Sequence, residues 1–306
     1  MMANDGKSAW FRYLGPVLVV LLALLLVFSK GERAARRSVL NDGREAPAVA
    51  EAEGSEASLA GSLRVSLNGR EDNTDMDASE DLTGISLDRL MGRVNPASDS
   101  LFVPVAQRFA SRSGLFMHRD AYRAFLDMET AAREDGIRLT ILSALRTFDH
   151  QKRLWEDKWF GRRVLSGGIH APSIADPAER AREILKFSAM PGTSRHHWGT
   201  DIDLNALDND YFEAGEGLAV YRWLQEHAAA FGFCQPYTAL GSGRSQGHAE
   251  ERWHWSYKPL AAVYTEAFGR LAGYGDITGF GGWETAGEVR VIENYVIQVD
   301  PSCLKP

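Results

Sequence analysis

A five-residue stretch of this chain, residues 200–204 (Thr-Asp-Ile-Asp-Leu), alternates polar and apolar side chains. A period of two is typical of a β-strand that has one face in the core. Ile202 and Leu204 would face the core, so Asp201 and Asp203 would share the opposite face. The pattern therefore predicts a strand that holds two carboxylates on one side of a sheet.

A second stretch, residues 253–257 (Trp-His-Trp-Ser-Tyr), alternates in the same way. Its aromatic residues suit a core face, which leaves His254 and Ser256 on the polar face. Glu251 lies three residues before His254 and is expected at the entrance of this strand. We predict a second strand that brings an imidazole to a polar site.

The pair His196-His197 precedes the first predicted strand. An odd separation along one strand would place His196 and Asp203 on opposite faces, so we expect His196 in the loop before the strand, with Gly199 available for a turn. Two imidazoles and one carboxylate leave the fourth position of a zinc ion open to water, which is the layout of a catalytic rather than a structural site. The water needs a nearby carboxylate to accept its proton, and Glu251 is placed to do so.

These segments resemble the two signature motifs of the zinc D-alanyl-D-alanine carboxypeptidases (VanY-like peptidases), which cut the stem peptides of bacterial cell walls. The first motif is Ser-x-His, two residues, Gly, three residues and Asp. The second is Glu-x-Trp-His-Trp-x-Tyr, and a third element is Ser-x-x-Arg followed by Gln. The matching residues are Ser194, His196, Gly199 and Asp203; Glu251, Trp253, His254, Trp255 and Tyr257; and Ser143, Arg146 and Gln151. The similarity extends from about residue 100 to the C-terminus.

The resemblance implies a zinc-dependent enzyme with a role for each matching side chain. The implied zinc ligands are His196 (rather than His197), Asp203 and His254. The implied general base is Glu251, not the adjacent Glu250. Arg146 would stabilise the oxyanion or hold the substrate carbonyl, and Ser194 and Gln151 would bind the substrate peptide.

One residue departs from the family pattern. The family usually has a small residue two positions before its aspartate ligand, where this chain has Asp201. Strand parity directs Asp201 to the side of the ligands. We expect it to lie behind the metal ligands, where it would orient His196 or pair with Arg146, and a change in substrate choice is the alternative. His248 matches no motif position and is interpreted as a loop residue.

The motifs leave the exact bond open. A D-alanyl-D-alanine carboxypeptidase is the main prediction, and a peptidoglycan endopeptidase or a D-Ala-D-Ala dipeptidase would use the same chemistry. A zinc domain that binds the cell wall without catalysis and a membrane-tethered scaffold without metal are alternatives of another class. Glu251 and Arg146 argue against a pure binding domain, since binding alone requires neither.

The N-terminal residues carry a targeting signal. An uncharged apolar run, residues 13–28, follows Lys7 and Arg12 and approaches the length needed to cross a bilayer. A poor cleavage site follows it, so we expect residues 1–29 to form an uncleaved, single-pass inner-membrane anchor rather than a cleaved signal peptide. Basic residues are more numerous after the run than before it, which opposes a periplasmic location for the rest of the chain. We nevertheless expect that location, because the implied substrate is the cell wall.

Residues 30–85 are rich in small and acidic residues and contain almost no aromatics, a composition that predicts a disordered linker. Residues 41–81 hold eleven acidic residues against three arginines, and the whole chain has a net charge of −7. The remainder is therefore nearly neutral, and no basic block indicates a nucleic-acid partner. Residues 86–306 are long enough for one zinc peptidase domain.

The helix and strand patterns do not alternate strictly, which indicates an α+β domain with an antiparallel sheet, flanking helices and the zinc site. The resemblance implies the same fold. The predicted helices run from 122 to 136, 148–160, 177–187, 218–231 and 259–271, and further strands are predicted at 137–145 and 288–299. Cys234 and Cys303 are expected to form a disulfide in an oxidising compartment, and two buried free thiols are the alternative.

Overall fold

The computed structural model describes residues 84–241 and 243–305. The predicted membrane anchor at 1–29 and almost all of the predicted linker at 30–85 lie outside the described residues. Among the residues that are described, no helix is long and apolar enough to cross a membrane.

Strands and helices intermix along the described chain. The strands are β1 (Phe102–Pro104), β2 (Phe116–His118), β3 (Ile141–Ser143), β4 (Asp201–Leu204), β5 (Phe233–Cys234) and β6 (His254–Tyr257). The α-helices are α1 (Leu87–Leu90), α2 (Arg119–Glu134), α3 (Phe148–Trp159), α4 (Pro177–Leu185), α5 (Gly215–His227) and α6 (Lys258–Leu271). Strands β1 and β2 form one antiparallel pair, and the other four form an antiparallel sheet in the order β3-β4-β6-β5. The α+β prediction is confirmed.

The register of the four-stranded sheet brings the two predicted polar strands together. On β4 and β6, Asp203 lies opposite His254 and Asp201 lies opposite Ser256. On the other side of β4, Ser143 of β3 lies opposite Asp203. The central strand pair therefore carries both carboxylates and the imidazole on one face.

The opposite face of these strands is apolar and buried, as the alternation predicts. Ile202 and Trp255 belong to one hydrophobic cluster together with Phe125 of α2 and Leu224 of α5, and each of these side chains is at most 3% exposed. Burial of such large apolar side chains contributes roughly 1.5–3 kcal/mol each. This cluster anchors the sheet, and a second one joins α3, α4, α6 and the C-terminal region.

Local signals in the sequence set the helix ends. Helix α2 stops before Gly136, whose φ of 77° ends the helix in the left-handed region. Helix α3 starts after Thr147, whose side chain accepts a hydrogen bond from the His150 N–H at 3.3 Å. The helices predicted at 148–160, 177–187, 218–231 and 259–271 are all present with slightly different bounds.

Two predicted strands differ from the structure. The strand predicted at 137–145 is reduced to the three residues of β3. The strand predicted at 288–299 is wrong, because residues Ile292–Ile297 form a π-helical turn. Five residues there are buried: Val289, Val291, Ile292, Val296 and Val299. Val289, Ile292, Val296 and Val299 recur at intervals of three or four, and Val291 and Ile292 are buried side by side, so the pattern is helical rather than alternating.

A disulfide joins Cys234 at the end of β5 to Cys303 near the C-terminus, with a Cα–Cα distance of 5.7 Å. Tyr237 and Val299 pack around it in a small separate core. The bond closes a loop of 69 residues, which stabilises the fold by about 4 kcal/mol in the chain-entropy description. It also fixes the C-terminal region against the sheet that carries the polar face.

Candidate metal centre

His196 lies in a short 3-10 turn, Arg195–Trp198, immediately before β4, as predicted. Gly199 ends the turn with a φ of 70°, and a Cβ there would lie 2.8 Å from the backbone nitrogen of His118. Nδ1 of His196 donates to the Ala144 carbonyl at 2.8 Å. Its Nε2 is therefore the nitrogen that remains available as a ligand.

Three potential ligand atoms converge on the polar face of the sheet. Oδ1 of Asp203 lies 3.3 Å from Nε2 of His196 and 3.4 Å from Nδ1 of His254. Ligand atoms around a tetrahedral zinc ion with bonds near 2.0–2.1 Å are about 3.3 Å apart. All three residues are buried, and their ligand atoms lie within 4.8 Å of one another.

Two of these atoms form no hydrogen bond. Nε2 of His196 and Oδ1 of Asp203 are buried and accept or donate no hydrogen bond within the described residues. Buried polar atoms are almost always satisfied, because leaving one unpaired costs about 1–3 kcal/mol. A cation bound between them satisfies both, so the donor set fits zinc, which prefers imidazole nitrogen and carboxylate oxygen in this arrangement.

The protonation of the trio suits a metal except at one ring. Burial lowers the pKa of His196, so this ring is neutral. Burial opposes ionisation of Asp203, but its polar contact with His196 and the charge of Arg146 outweigh burial and hold the pKa of this carboxyl below its usual range. Burial also disfavours a charged His254, yet hydrogen bonds to Asp201 and Glu251 raise its pKa to about 9. A metal ion must displace that proton.

Glu251 stands beside the ligand atoms at the entrance of β6. Its Oε2 lies 3.1 Å from Nδ1 of His254, and the side chain is buried. The side chain of the adjacent Glu250 contacts Arg252 at 3.4 Å instead. Of these two glutamates, the structure therefore places Glu251 at the polar site.

Most of the N–H donors of Arg146 form hydrogen bonds with neighbouring protein side chains. Its guanidinium donates to Ser143 Oγ at 2.9 Å, to Gln151 Oε1 at 3.1 Å and to Asp203 Oδ2 at 2.8 Å. These bonds use three of its five N–H donors and leave at most two for a substrate carbonyl. Arg146 holds the oxygen of Asp203 that does not face the other ligands.

Asp201 lies behind the ligands, but its partners are not those expected from the sequence. It contacts neither His196 nor Arg146 by a hydrogen bond. Its Oδ2 lies 3.0 Å from Nε of Arg195 and 2.9 Å from Nε2 of His254. The strand register explains the difference, because β3 runs beside Asp203 and so brings Arg146 to that residue rather than to Asp201.

The two substrate-binding residues implied by the resemblance lie in different positions. Ser194 is almost fully buried and lines the cleft above the site. Gln151 is fully buried and does not line the cleft. Its side chain accepts from Arg146 and donates to the Ala189 carbonyl at 2.8 Å, so Gln151 fixes the arginine instead of reaching the cleft.

Three residues that line the cleft were assigned no functional role from the sequence. His248 lies in a loop, as predicted, but it is buried, donates from Nδ1 to the Leu185 carbonyl at 2.6 Å and packs 4.7 Å from the Tyr237 ring. Tyr237 packs 4.7 Å from the ring of His254 as well. Lys158 lines the same cleft from α3. Helical spacing from Leu154 to Lys158 is the one signal that could have placed this lysine.

The cleft around these residues has a volume of about 760 Å³. His196, Asp203, His254 and Glu251 all open into it. Its size is within the range of clefts that hold small ligands. A peptide segment can therefore approach the candidate metal centre from one side.

Comparison with known proteins gives consistent results. The model of the family described as "VanY: D-alanyl-D-alanine carboxypeptidase" matches residues 114–260. The chain is 31% identical over 137 residues to a D-alanyl-D-alanine carboxypeptidase of Enterococcus faecalis, covering 45% of this chain and 46% of that protein. It is 33% identical over 93 residues to an uncharacterized protein of Haemophilus influenzae, covering 26% of this chain and 68% of that protein.

Solved structures show weaker likeness. VanYB in complex with D-alanine-D-alanine has a TM-score of 0.39 and 23% identity, over 57% of this chain and 87% of that chain. A VanY D,D-pentapeptidase mutant in complex with Zn(II) has the same score and identity, over 63% and 92%. The chain spans less than half the length of the Enterococcus relative. The family match covers both signature motifs, and residues 114–260 belong to the VanY-like family of D-alanyl-D-alanine carboxypeptidases.

Proposed function

We propose that this domain is a zinc-dependent carboxypeptidase that removes the terminal D-alanine from peptidoglycan stem peptides. The observation that carries the proposal is the buried trio of His196, Asp203 and His254, in which two ligand atoms form no hydrogen bond. Glu251 adds a carboxylate at the mouth of the trio. Family membership supports the substrate class.

The site divides the chemistry among a few side chains. A zinc ion held by His196, Asp203 and His254 would supply Lewis acidity and lower the pKa of water to about 7. Glu251 accepts the proton of the attacking water on its carboxylate and delivers it to the amide nitrogen, which leaves as an amine. The remaining N–H donors of Arg146 can hold the carbonyl oxygen as it gains charge, and such a donor typically contributes about 3–4 kcal/mol.

Asp201 has a positioning role in this proposal. Its carboxylate accepts from Nε2 of His254, which leaves Nδ1 of that ring for the metal. Arg195 holds the same carboxylate, and both side chains are completely buried. Hydrogen bonds of this kind fix the tautomer and orientation of a histidine ligand.

Mass spectrometry of muropeptides incubated with the purified protein tests the proposal. Loss of a single alanine from the pentapeptide stem is the expected result. Cleaved cross-links would indicate an endopeptidase, and hydrolysis of free D-Ala-D-Ala alone would indicate a dipeptidase. Zinc-loaded protein that binds wall fragments and cleaves none would be a non-catalytic binding domain, and the proposal would be wrong.

We further propose that the domain works on the periplasmic side of the inner membrane, tethered by residues 1–29. The Cys234–Cys303 disulfide supports this location, because such bonds persist in oxidising compartments. Protease added to spheroplasts should degrade or release the domain while the membrane is intact. A domain that resists protease until the membrane is lysed lies in the cytoplasm, and the tethered periplasmic location is then excluded.

A further inference from the structure

A carboxypeptidase must recognise the free carboxylate at the end of its substrate, and this inference rests on the proposed function. The leaving residue carries that carboxylate two bonds from its new amine, near the point where Glu251 delivers a proton. A cation in the cleft is the expected partner, since charge-assisted hydrogen bonds are the strong ones. Four cationic side chains line the cleft: Arg112, Arg146, Lys158 and Arg163.

Three of these cations are poorly suited to the task. Arg146 already donates to Ser143, Gln151 and Asp203. Arg112 and Arg163 are exposed at the rim, where water screens a single ion pair to about 0–1 kcal/mol. The half-buried Lys158 is the remaining candidate.

Helix α3 carries Lys158 into the cleft. Lys158 lies one turn beyond Leu154, and both side chains line the cavity. The ammonium group donates to the hydroxyl of Ser188, which lines the cavity as well. Among residues 84–241 and 243–305, no carboxylate forms an ion pair with this lysine.

The charges around Lys158 fit an anionic ligand. Burial and then the charge of Arg163 lower the pKa of Lys158 to about 8, and the carboxylate of Glu251 opposes that shift. The ammonium form still predominates at neutral pH. A cation that is partly desolvated and has no counter-ion gains from a bound carboxylate.

We propose that Lys158, held by Ser188, binds the C-terminal carboxylate of the leaving residue and makes the cleft selective for peptides with a free carboxyl end. Lys158 is thus a specificity-determining residue for exopeptidase over endopeptidase cleavage. Arg163 at the rim is the competing assignment.

The test compares acetyl-D-Ala-D-Ala with its C-terminal amide. Dissociation constants are measured for both in the Glu251→Gln protein, which cannot turn them over, with Lys158 or with Lys158→Gln. We expect Lys158→Gln to weaken binding of the acid by about 10- to 100-fold, the range for a hydrogen bond to a charged group, and to leave the amide unchanged. Lys158→Arg should retain part of the preference. Lys152→Gln is the matched control, because Lys152 lies on α3 outside the cleft lining.

Unchanged amide binding shows that the variant site is intact. Equal binding of acid and amide with Lys158 present, or an undiminished preference in Lys158→Gln, would overturn the assignment. If only Arg163→Gln loses the preference for the acid over the amide, Arg163 at the rim binds the carboxylate instead of Lys158. Parallel kinetics with Glu251 present separate this inference from the proposed function. If the protein hydrolyses the peptides and the ratio of the acid rate to the amide rate is the same with Lys158 and with Lys158→Gln, this inference alone is wrong. If binding of the acid depends on Lys158 but neither peptide is hydrolysed, the proposed function alone is wrong.

Discussion

Nε2 of His254 lies 2.9 Å from Oδ2 of Asp201, so the ring nitrogen that faces away from Asp203 is held by a buried carboxylate. Arg195 neutralises that carboxylate at 3.0 Å and also donates to Thr265 and Ser256. The charge of Asp201 is therefore balanced behind the site rather than by the metal position. This arrangement occupies the place where the family usually has a small residue.

We expect Asp201→Asn to weaken zinc binding by about 10- to 100-fold, the usual effect of losing a partner that orients a metal ligand. The isosteric amide limits the cost of leaving Arg195 unpaired. Competition with a chromophoric chelator measures the affinity. Asp208→Asn, an exposed carboxylate at the cleft, should bind zinc as the unchanged protein does. Equal zinc affinities in the two variants would show that Asp201 does not support the metal centre.

His196→Ala and His254→Ala should each abolish stoichiometric zinc, because two protein ligands rarely retain the ion. Elemental analysis after dialysis gives the ratio of zinc to protein. The control is His150→Ala, since His150 lines the cleft but does not belong to the ligand trio. A full complement of zinc in either ligand variant would show that the ligand assignment is wrong.

Glu251→Ala should keep zinc, and its turnover rate should fall by about 10²- to 10⁴-fold, which is the typical contribution of a general base. Glu250→Ala should change turnover little, because Glu250 contacts Arg252 instead of the ligand trio. Steady-state kinetics on a D-Ala-D-Ala peptide, with zinc content measured in parallel, distinguishes the two. If both variants lose the same activity, Glu251 is not the base.

Zinc binding at pH 7.5 should release about one proton. In the metal-free protein the pKa of His254 is about 9, so its ring is protonated at this pH, whereas the lowered pKa of His196 leaves that ring neutral. A histidine that binds zinc must be in its neutral form, so binding displaces the His254 proton. Affinity should rise with pH up to about 9. Calorimetry in buffers of different ionisation enthalpy counts the protons, and a count of zero would contradict the raised pKa.

Replacement of both cysteines, Cys234→Ser with Cys303→Ser, should lower the free energy of unfolding by about 4 kcal/mol, because the unfolded chain regains the freedom of a loop of 69 residues. Denaturant titration of oxidised and double-variant proteins measures the difference. Non-reducing peptide mapping of exported protein should recover the linked peptides. Free thiols at both positions would refute the bond.

Local patterns were sufficient for part of this site. The alternation in residues 200–204 and 253–257 predicts two strands with Asp203 and His254 on their polar faces, because a period of two depends only on backbone geometry. Gly199 likewise predicts the turn that carries His196. The motif match then predicts the metal, because the order and spacing of the ligands can be compared with the family motifs directly in the sequence.

The tertiary structure decided which residues meet across the site, and sequence periodicity cannot predict this. It set the register that puts Asp203 opposite His254, the choice of Arg195 rather than Arg146 as the partner of Asp201, and the placement of Lys158 in the cleft. It also turned the predicted strand at 288–299 into a helical segment packed on the core. The sequence by itself determines which face of an element a side chain occupies, because that depends on neighbours a few residues away. Which partner that side chain meets depends on segments that are often 50 or more residues distant, and only their packing brings them together.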